Sequence, residues 1–465
     1  MLRSLVGSEM CIRDSYMANV IKTKKGLDIR LVGEAPKVEV SVGEVHSYGI
    51  SPDNFPGFVP RLEVQVGDRV QAGSPLLYHK EAPMLKLTAP VSGEVTQVCR
   101  GAKRKILYIE VKPDTTIEYK QFDTQGIESK STEEVLALLG ESGFLALFRN
   151  RPYDRVVDPT KTPRDIYVTA YQSAPLEGDA LELIAEDKPY LQKAVDLLSR
   201  LTIGRVHIST KAGSGLSLTN CEIHEMQGPH PIGNASVVIN HTRPINKGEN
   251  VWVIGITELA LLGRFLATGK VDLSRKVVFA GSRMESAGYA KVIAGADVAQ
   301  LCQNKLDTKH GKVRLIDGNV LTGTQVIGDY RHLSPFHSLI TAIPEGDETN
   351  ELFGWASISP KRFSVNRNYP SAFFGTSRPH DLDARIKGGP RAIIVSNEYD
   401  KVFPLDIFPE YLIKSVIAFD IDKMEELGIY EVAPEDFALC EFVDTSKLEL
   451  QYICLLYTSP SPRDS

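Results

Sequence analysis

Residues Leu62 to Val98, LEVQVGDRVQAGSPLLYHKEAPMLKLTAPVSGEVTQV, leave few folds open. Leu62, Val64 and Val66 alternate with Glu63 and Gln65, the period-2 pattern of a strand with one buried face. Gly67-Asp68 interrupts the run with a tight turn, Val70 resumes it, and Gly73 turns it again. The second half repeats the scheme: Leu85, Leu87 and Ala89 alternate, Ser92-Gly93 turns, and Val95 and Val98 return to the inner face. Neither half can bury its apolar face alone, so the pair predicts a flattened, quasi-symmetric β-sandwich.

The spacing VGDxVxxGxxL followed by APxSGxV resembles the barrel-sandwich hybrid of biotinyl and lipoyl carrier domains. A carrier places its modified lysine at the exposed hairpin tip between the halves. Here the tip reads Glu81-Ala82-Pro83-Met84, with Lys80 and Lys86 displaced to either side. The stretch is therefore read as a structural β-domain, not as a swinging arm.

A chain of 465 residues has room for about three domains. Its net charge of -6 argues against nucleic acid as a main partner, because phosphate binding calls for a basic surface. The most apolar run, Val251 to Gly269, is broken by Glu258 and Arg264 and predicts no membrane span, so any membrane link passes through a partner. The cysteines, Cys11, Cys99, Cys221, Cys302, Cys440 and Cys454, form no CxxC, and no histidine sits in an HExxH spacing. Neither a metal site nor a cysteine-ligated cluster is expected. The termini read as translated sequencing-library adaptor: MCIRD (Met10 to Asp14) and CLLYT (Cys454 to Thr458) can be encoded by one DNA segment read from opposite strands. Residues 1–16 and 454–465 are set aside on that ground, with Met17 as the expected natural start and the natural C-terminus expected to be missing.

The rest divides as a sandwich domain over 17–114, a Rossmann-like α/β domain over 115–275, a β-grasp module over 276–345, and β elements with a helical C-terminal region over 346–453. In the first, Val38 to Val45 alternates as a strand, and the basic turn Arg100 to Lys105 is read as solvated. In the second, Ser131 and Glu134 form a capping box. Strands are predicted at Asp165 to Tyr171, Arg205 to Thr210, Ser236 to Asn240 and Val251 to Ile256, and helices after Asp187 and Thr257. Lys211-Ala-Gly-Ser-Gly215 suggests a phosphate loop but lacks the third glycine of GxGxxG and the Lys-Ser/Thr of a P-loop. In the third, VVFAG, ESAGYAKVIAG, VRLID and TQVIG supply strands, with a helix around Asp297 to Gln303. Gly354 to Ser357 and Phe363 to Arg367 are read as short β elements, with Trp355 a packed aromatic. At the end Leu412, Ile413, Val416 and Ile417 share a helix face after Pro409, and Pro434 opens a turn toward Phe437, Leu439 and Cys440. Gly228-Pro229-His230-Pro231-Ile232-Gly233, flanked by His224 and His241, fixes a histidine in a rigid loop, where it can donate to a carbonyl or relay a proton.

Read in order over Met17 to Gln451, the blocks VIKTKKGLDI, RGAKR, SGFLALFRNRPYDRVVDP, SAPL, GPHPIGN, VWVIG, GWASISPKRFSVNR, FPLDIFP and ALCEF resemble the NqrA family, the A subunits of the sodium-translocating NADH:quinone reductases. The resemblance implies a multidomain α/β and α+β chain: a barrel-sandwich hybrid, a Rossmann-like domain, a β-grasp module of the SLBB type and a small helical C-terminal region. It implies a peripheral subunit on the cytoplasmic face of a bacterial inner membrane, working with the B to F subunits of a six-subunit enzyme. NADH, FAD, FMN, riboflavin and iron–sulfur sites lie on other subunits, and quinone is the substrate. Two relatives of similar fold, the C subunit of the Rnf complex and the flavoprotein subunit of complex I, carry clustered cysteines near the C-terminal end. Here Cys440 stands alone, with Asp444 nearby. The alternative is an electron-transfer subunit of either kind. On the reading that this chain contacts quinone, the expected slot is Gly228, Pro229, His230 and Pro231, with His230 donating to a carbonyl and His241 and Trp252 completing the walls.

Overall fold

The computed structural model describes residues 19–347, 363–365, 369 and 378–458. A seven-stranded sheet organises it, in the spatial order Asn19–Lys22, Glu222–Gln227, Val206–Lys211, Ile166–Ala170, Val251–Gly255, Arg149–Arg151 and Arg155–Val156. The first five are parallel, Arg149–Arg151 runs antiparallel to them, and Arg155–Val156 pairs antiparallel with Arg149–Arg151. The four strands from Ile166 onward, taken in chain order, lie third, second, first, fourth, which is the Rossmann arrangement with its switch point at Ile166–Ala170. Their side chains alternate between two cores. Ile166, Val168, Ile208, Trp252 and Ile254 face the helices Leu191–Leu201 and Ile256–Thr268 and join the sandwich core. Tyr167, Met226, Val251 and Val253 face the helix Ala235–Thr242 and the C-terminal helices, including Pro409–Ile417 and Ala438–Val443.

The sandwich pairs a four-stranded sheet with a three-stranded one. Leu85, Leu87, Ala89 and Val95 are buried, as the alternation requires. The first run is shorter than predicted: the strand is Pro60–Leu62, and Val66 is exposed beside the Gly67 turn. The hairpin tip is docked and cannot swing. A Cβ on Gly140 would lie 2.4 Å from the Met84 carbonyl oxygen, and Lys86 is held by Glu63 at 3.0 Å and Glu141 at 2.9 Å. The five-stranded β-grasp sheet has the order Gly288–Ile293, Ser274–Ala280, Leu339–Pro344, Val313–Asp317 and Thr324–Gln325.

Several predicted elements change. Ser236 to Asn240 is part of the helix Ala235–Thr242, not a strand. Ala235 to Ile239 are all buried, so the run shows no helical period. Val38 to Val45 is not a ladder strand. It lies as an extended lace along the β-grasp edge, where Val40 N–H donates to Tyr289 O and Tyr289 N–H to Val38 O, each at 2.8 Å. Its alternation comes from Val40, Val42 and Val45 packing on one apolar face. The helix predicted from Thr257 begins at Ile256 with Gly255 at the cap, and Ile417 is exposed. The strands Glu222–Gln227 and Leu339–Pro344 add to the predicted set. Gly354 to Ser357, with Trp355, lies outside the described residues, as do Asn366 and Arg367. The last helix, Leu450–Thr458, runs through position 454, and Cys454 is buried.

Candidate functional site

In sheets of this order ligands rest at the carboxyl ends of the strands around the switch point, with anions at the helix N-termini. A crevice of about 730 Å³ lies there, lined by the turn after Ile166–Ala170, by Lys211 to Ser214 and by Lys37, Val278 and Tyr289. The protein's own carboxylates close two helix N-termini at this end of the sheet, Asp179 on the crevice wall and Glu258 outside its lining. Asp179 caps the short helix Ala180–Leu183 by accepting from Leu181 and Glu182 N–H. Glu258 lies in the first turn of Ile256–Thr268, where a Cβ on Gly255 would meet its Oε2 at 2.1 Å. Arg275 reaches Glu258 at 3.2 Å, while burial pushes the Glu258 carboxyl up. Glu177, also on the rim, accepts from Asn319 at 3.2 Å, and burial raises it too. A diphosphate entering here meets carboxylates where a dinucleotide-binding fold offers bare N–H groups. Lys211 to Ser214 line the crevice as a turn, with Gly213 and Gly215 at φ +76° and +68°.

The Gly228 to Gly233 loop sits at the same end, and its composition is explained by packing. A Cβ on Gly228 would lie 2.6 Å from Thr23 O, and one on Gly233 2.3 Å from Tyr171 O. The loop therefore clamps the N-terminal arm against the first βα turn. The His230–Pro231 bond is cis. His230 is 5% exposed. Its N–H donates to Asp28, its carbonyl accepts from Leu27 N–H, and its Nδ1 lies 3.0 Å from the Ser173 hydroxyl. Burial pushes the imidazole down to about 4, so it is neutral at physiological pH.

The structure places the predicted slot residues apart from one another. His230 is enclosed by Ser173, Asp28 and Leu27. Trp252 is 1% exposed and stacks obliquely on Phe148, 5.6 Å between ring centroids, in the core shared with the sandwich. His241, on the last turn of Ala235–Thr242, faces a different cavity at the opposite end of the strands. Strand alternation separates Trp252 from the loop, and helix phase turns His241 away from it. Cys440 is buried among the C-terminal helices, and burial pushes its thiol up. The Asp444 carboxylate beyond it accepts from Ser446 and Leu448 N–H, both at 2.9 Å.

The cavity that His241 lines, about 520 Å³, holds a cluster that no sequence motif marks: His207, Glu222 and His224, with Asp165 behind them. The available signal is Glu222-x-His224, two residues that share a face once Glu222–Gln227 is a strand.

Family models described as the NqrA N-terminal barrel-sandwich hybrid domain, the NqrA second alpha/beta domain and the NQRA C-terminal domain match residues 21–114, 130–271 and 277–328. A relative from Serratia proteamaculans, named as the A subunit of a Na(+)-translocating NADH-quinone reductase, is 33% identical over 438 residues, 92% of this chain and 96% of that protein. Proteins of the same name from Photorhabdus laumondii and Neisseria meningitidis serogroup A are 32% and 31% identical over 435 residues, again 92% of this chain and 96% of each. Among solved structures, an H2-reduced NAD+-reducing [NiFe]-hydrogenase aligns with a TM-score of 0.33 at 11% identity, covering 48% of this chain and 49% of that one. With its domains matched in order and its length shared almost end to end, the chain belongs to the NqrA family, the A subunits of the Na(+)-translocating NADH-quinone reductases.

Proposed function

We propose that this chain serves as the A subunit of a sodium-pumping NADH:quinone oxidoreductase, contributing assembly and docking rather than a redox centre of its own. The B to F subunits carry the flavins, the iron–sulfur and the NADH site, and quinone is the substrate of the whole enzyme. The near-complete overlap with relatives of that name supports the assignment. The observation that carries the division of labour is the pair of carboxylates, Asp179 and Glu258, at the helix N-termini where a dinucleotide would otherwise rest. The same observation speaks against an Rnf-type or complex-I-type electron carrier. Attachment to the cytoplasmic face through membrane partners is part of this reading; no helix among the described residues is long and apolar enough to cross a membrane. The closed Gly228 to Gly233 loop supports a scaffold role for His230.

The test is reconstitution. Membranes lacking this chain should lose NADH-driven quinone reduction and sodium uptake, and regain both when the purified chain is added. That chain alone should be colourless and should not oxidise NADH. A preparation with stoichiometric flavin, or NADH oxidation by the isolated chain, rejects the reading.

A further inference from the structure

The amino ends of the strands Val206–Lys211 and Glu222–Gln227 bring together a group that the crevice and the loop do not use. The strands are parallel, with His207 opposite Glu222 and Ser209 opposite His224. His207 Nδ1 lies 3.0 Å from His224 Nε2 and 3.4 Å from Glu222 Oε2, and the donor atoms of the three side chains all fall within 4.8 Å of one another. The edge of a tetrahedron whose centre binds imidazole nitrogen at ~2.0 Å is about 3.3 Å. The two closest pairs therefore already stand at the separation that a shared divalent ion imposes.

The surroundings hold these atoms in place. The His207 ring is stacked on Tyr167, with centroids 4.7 Å apart and planes at 15°. Its far nitrogen Nε2 faces Asp165 Oδ1 at 3.9 Å, the side from which an outer carboxylate supports a ligating histidine, while Nδ1 shares with His224 Nε2 a hydrogen bond that the ion would replace. Arg205 takes the other oxygen of Glu222 and Arg243 reaches Asp165 at 3.4 Å, so each carboxylate is oriented and the neighbouring cations are paired. His224 is 2% exposed, and its Nδ1 has no partner among the described residues. The three donors face a cavity of about 520 Å³ that also reaches His241, leaving room for solvent at a fourth position.

We propose that His207, Glu222 and His224 form a binding site for one divalent transition-metal ion of the zinc type. Two neutral imidazoles and one carboxylate suit a borderline ion better than calcium or magnesium, which take oxygen donors. The ion ties the neighbouring strands Val206–Lys211 and Glu222–Gln227 together at the end of the sheet remote from the crevice.

The experiment uses the full chain without a histidine tag, stripped with a chelator and titrated with Zn2+ by calorimetry, with Co2+ as an optical probe. One equivalent should bind, Co2+ should give the intense visible bands of a four-coordinate site, and saturating Zn2+ should raise Tm. His224→Gln should weaken binding by more than about 100-fold, the upper end of what loss of an outer partner alone costs. Glu222→Gln, at a partly exposed position, should abolish the Zn2+-dependent rise in Tm while the metal-free Tm stays within a few degrees of the parent. His241→Gln should leave the one-equivalent stoichiometry intact. Binding of less than one equivalent, octahedral-type Co2+ spectra, or affinity unchanged in both His224→Gln and Glu222→Gln overturns the proposal.

Discussion

His230 is a conspicuous residue held from three sides. Its ring is hydrogen-bonded to Ser173 and its backbone to Asp28 and Leu27, contacts that anchor the arm. His230→Ala should cost about 1–3 kcal/mol, the penalty for stranding buried hydrogen-bonding groups. This would appear as a lower Tm, with the KM for quinone of the assembled enzyme unchanged. A raised KM without loss of Tm would restore the loop as a quinone contact. The same burial sets a pH response. Burial pushes His230 and His332 from the ordinary 6.5 down to about 4, with Arg331 adding to the effect at His332. Each ring then binds a proton more readily unfolded than folded. Its contribution is complete above about 6.5 and is lost as pH falls from there toward about 4. The loss is on the order of 3 kcal/mol per ring at most. Tm measured against pH should decline across that window. His332→Leu should flatten the decline, since His332 packs on Tyr108, 4.9 Å between centroids, and both its ring nitrogens lack partners among the described residues.

Between elements, buried arginines do much of the joining. Arg275 on the β-grasp strand Ser274–Ala280 pairs with Glu258 of the α/β domain and donates to the carbonyls of Ser334, Pro335 and His337. Arg149 lies 4.1 Å over the Phe336 ring and donates to Asn54 O of the sandwich at 2.6 Å. Removing one partner leaves the other buried and uncompensated. Arg275→Ala should therefore cost about 3–5 kcal/mol in urea unfolding, more than Arg275→Met paired with Glu258→Met. Such junctions are not legible in the sequence, because nothing in Lys-Arg spacing marks which cation will be buried. What is legible is local chemistry: the Ser131–Glu134 capping box is present in both directions, at 2.7 and 3.2 Å, and the sandwich alternation places Leu85, Leu87 and Ala89 inside. The helix Ala235–Thr242 reads as a strand because its apolar run is buried on every side. The His207, Glu222 and His224 cluster escapes a sequence reading because strand pairing, not sequence spacing, brings His207 to the other two.

At the scale of the molecule, one face of the central sheet is covered largely by the C-terminal helices, which pack Phe403, Leu412, Phe437 and Leu439 into the core that holds Tyr167, Val251 and Val253. A chain ending at Asn397 should expose that face, bind a hydrophobic dye and aggregate, while the sandwich strands keep their amide protection in hydrogen exchange. The N-terminal arm has a further consequence. It lends Asn19–Lys22 to the sheet beside Glu222–Gln227, bridges Leu31 to His380, runs Val38 and Val40 along Tyr289, and only then enters the sandwich at Tyr48–Ile50. The arm leaves the ribosome well before its partners, which follow on the order of 200 to 350 residues behind it, roughly 10 to 70 s at ordinary elongation rates. Through that interval Ile21, Ile29 and Leu31, all buried at the end, remain wet, and the arm should be open to holdase capture until its partners emerge.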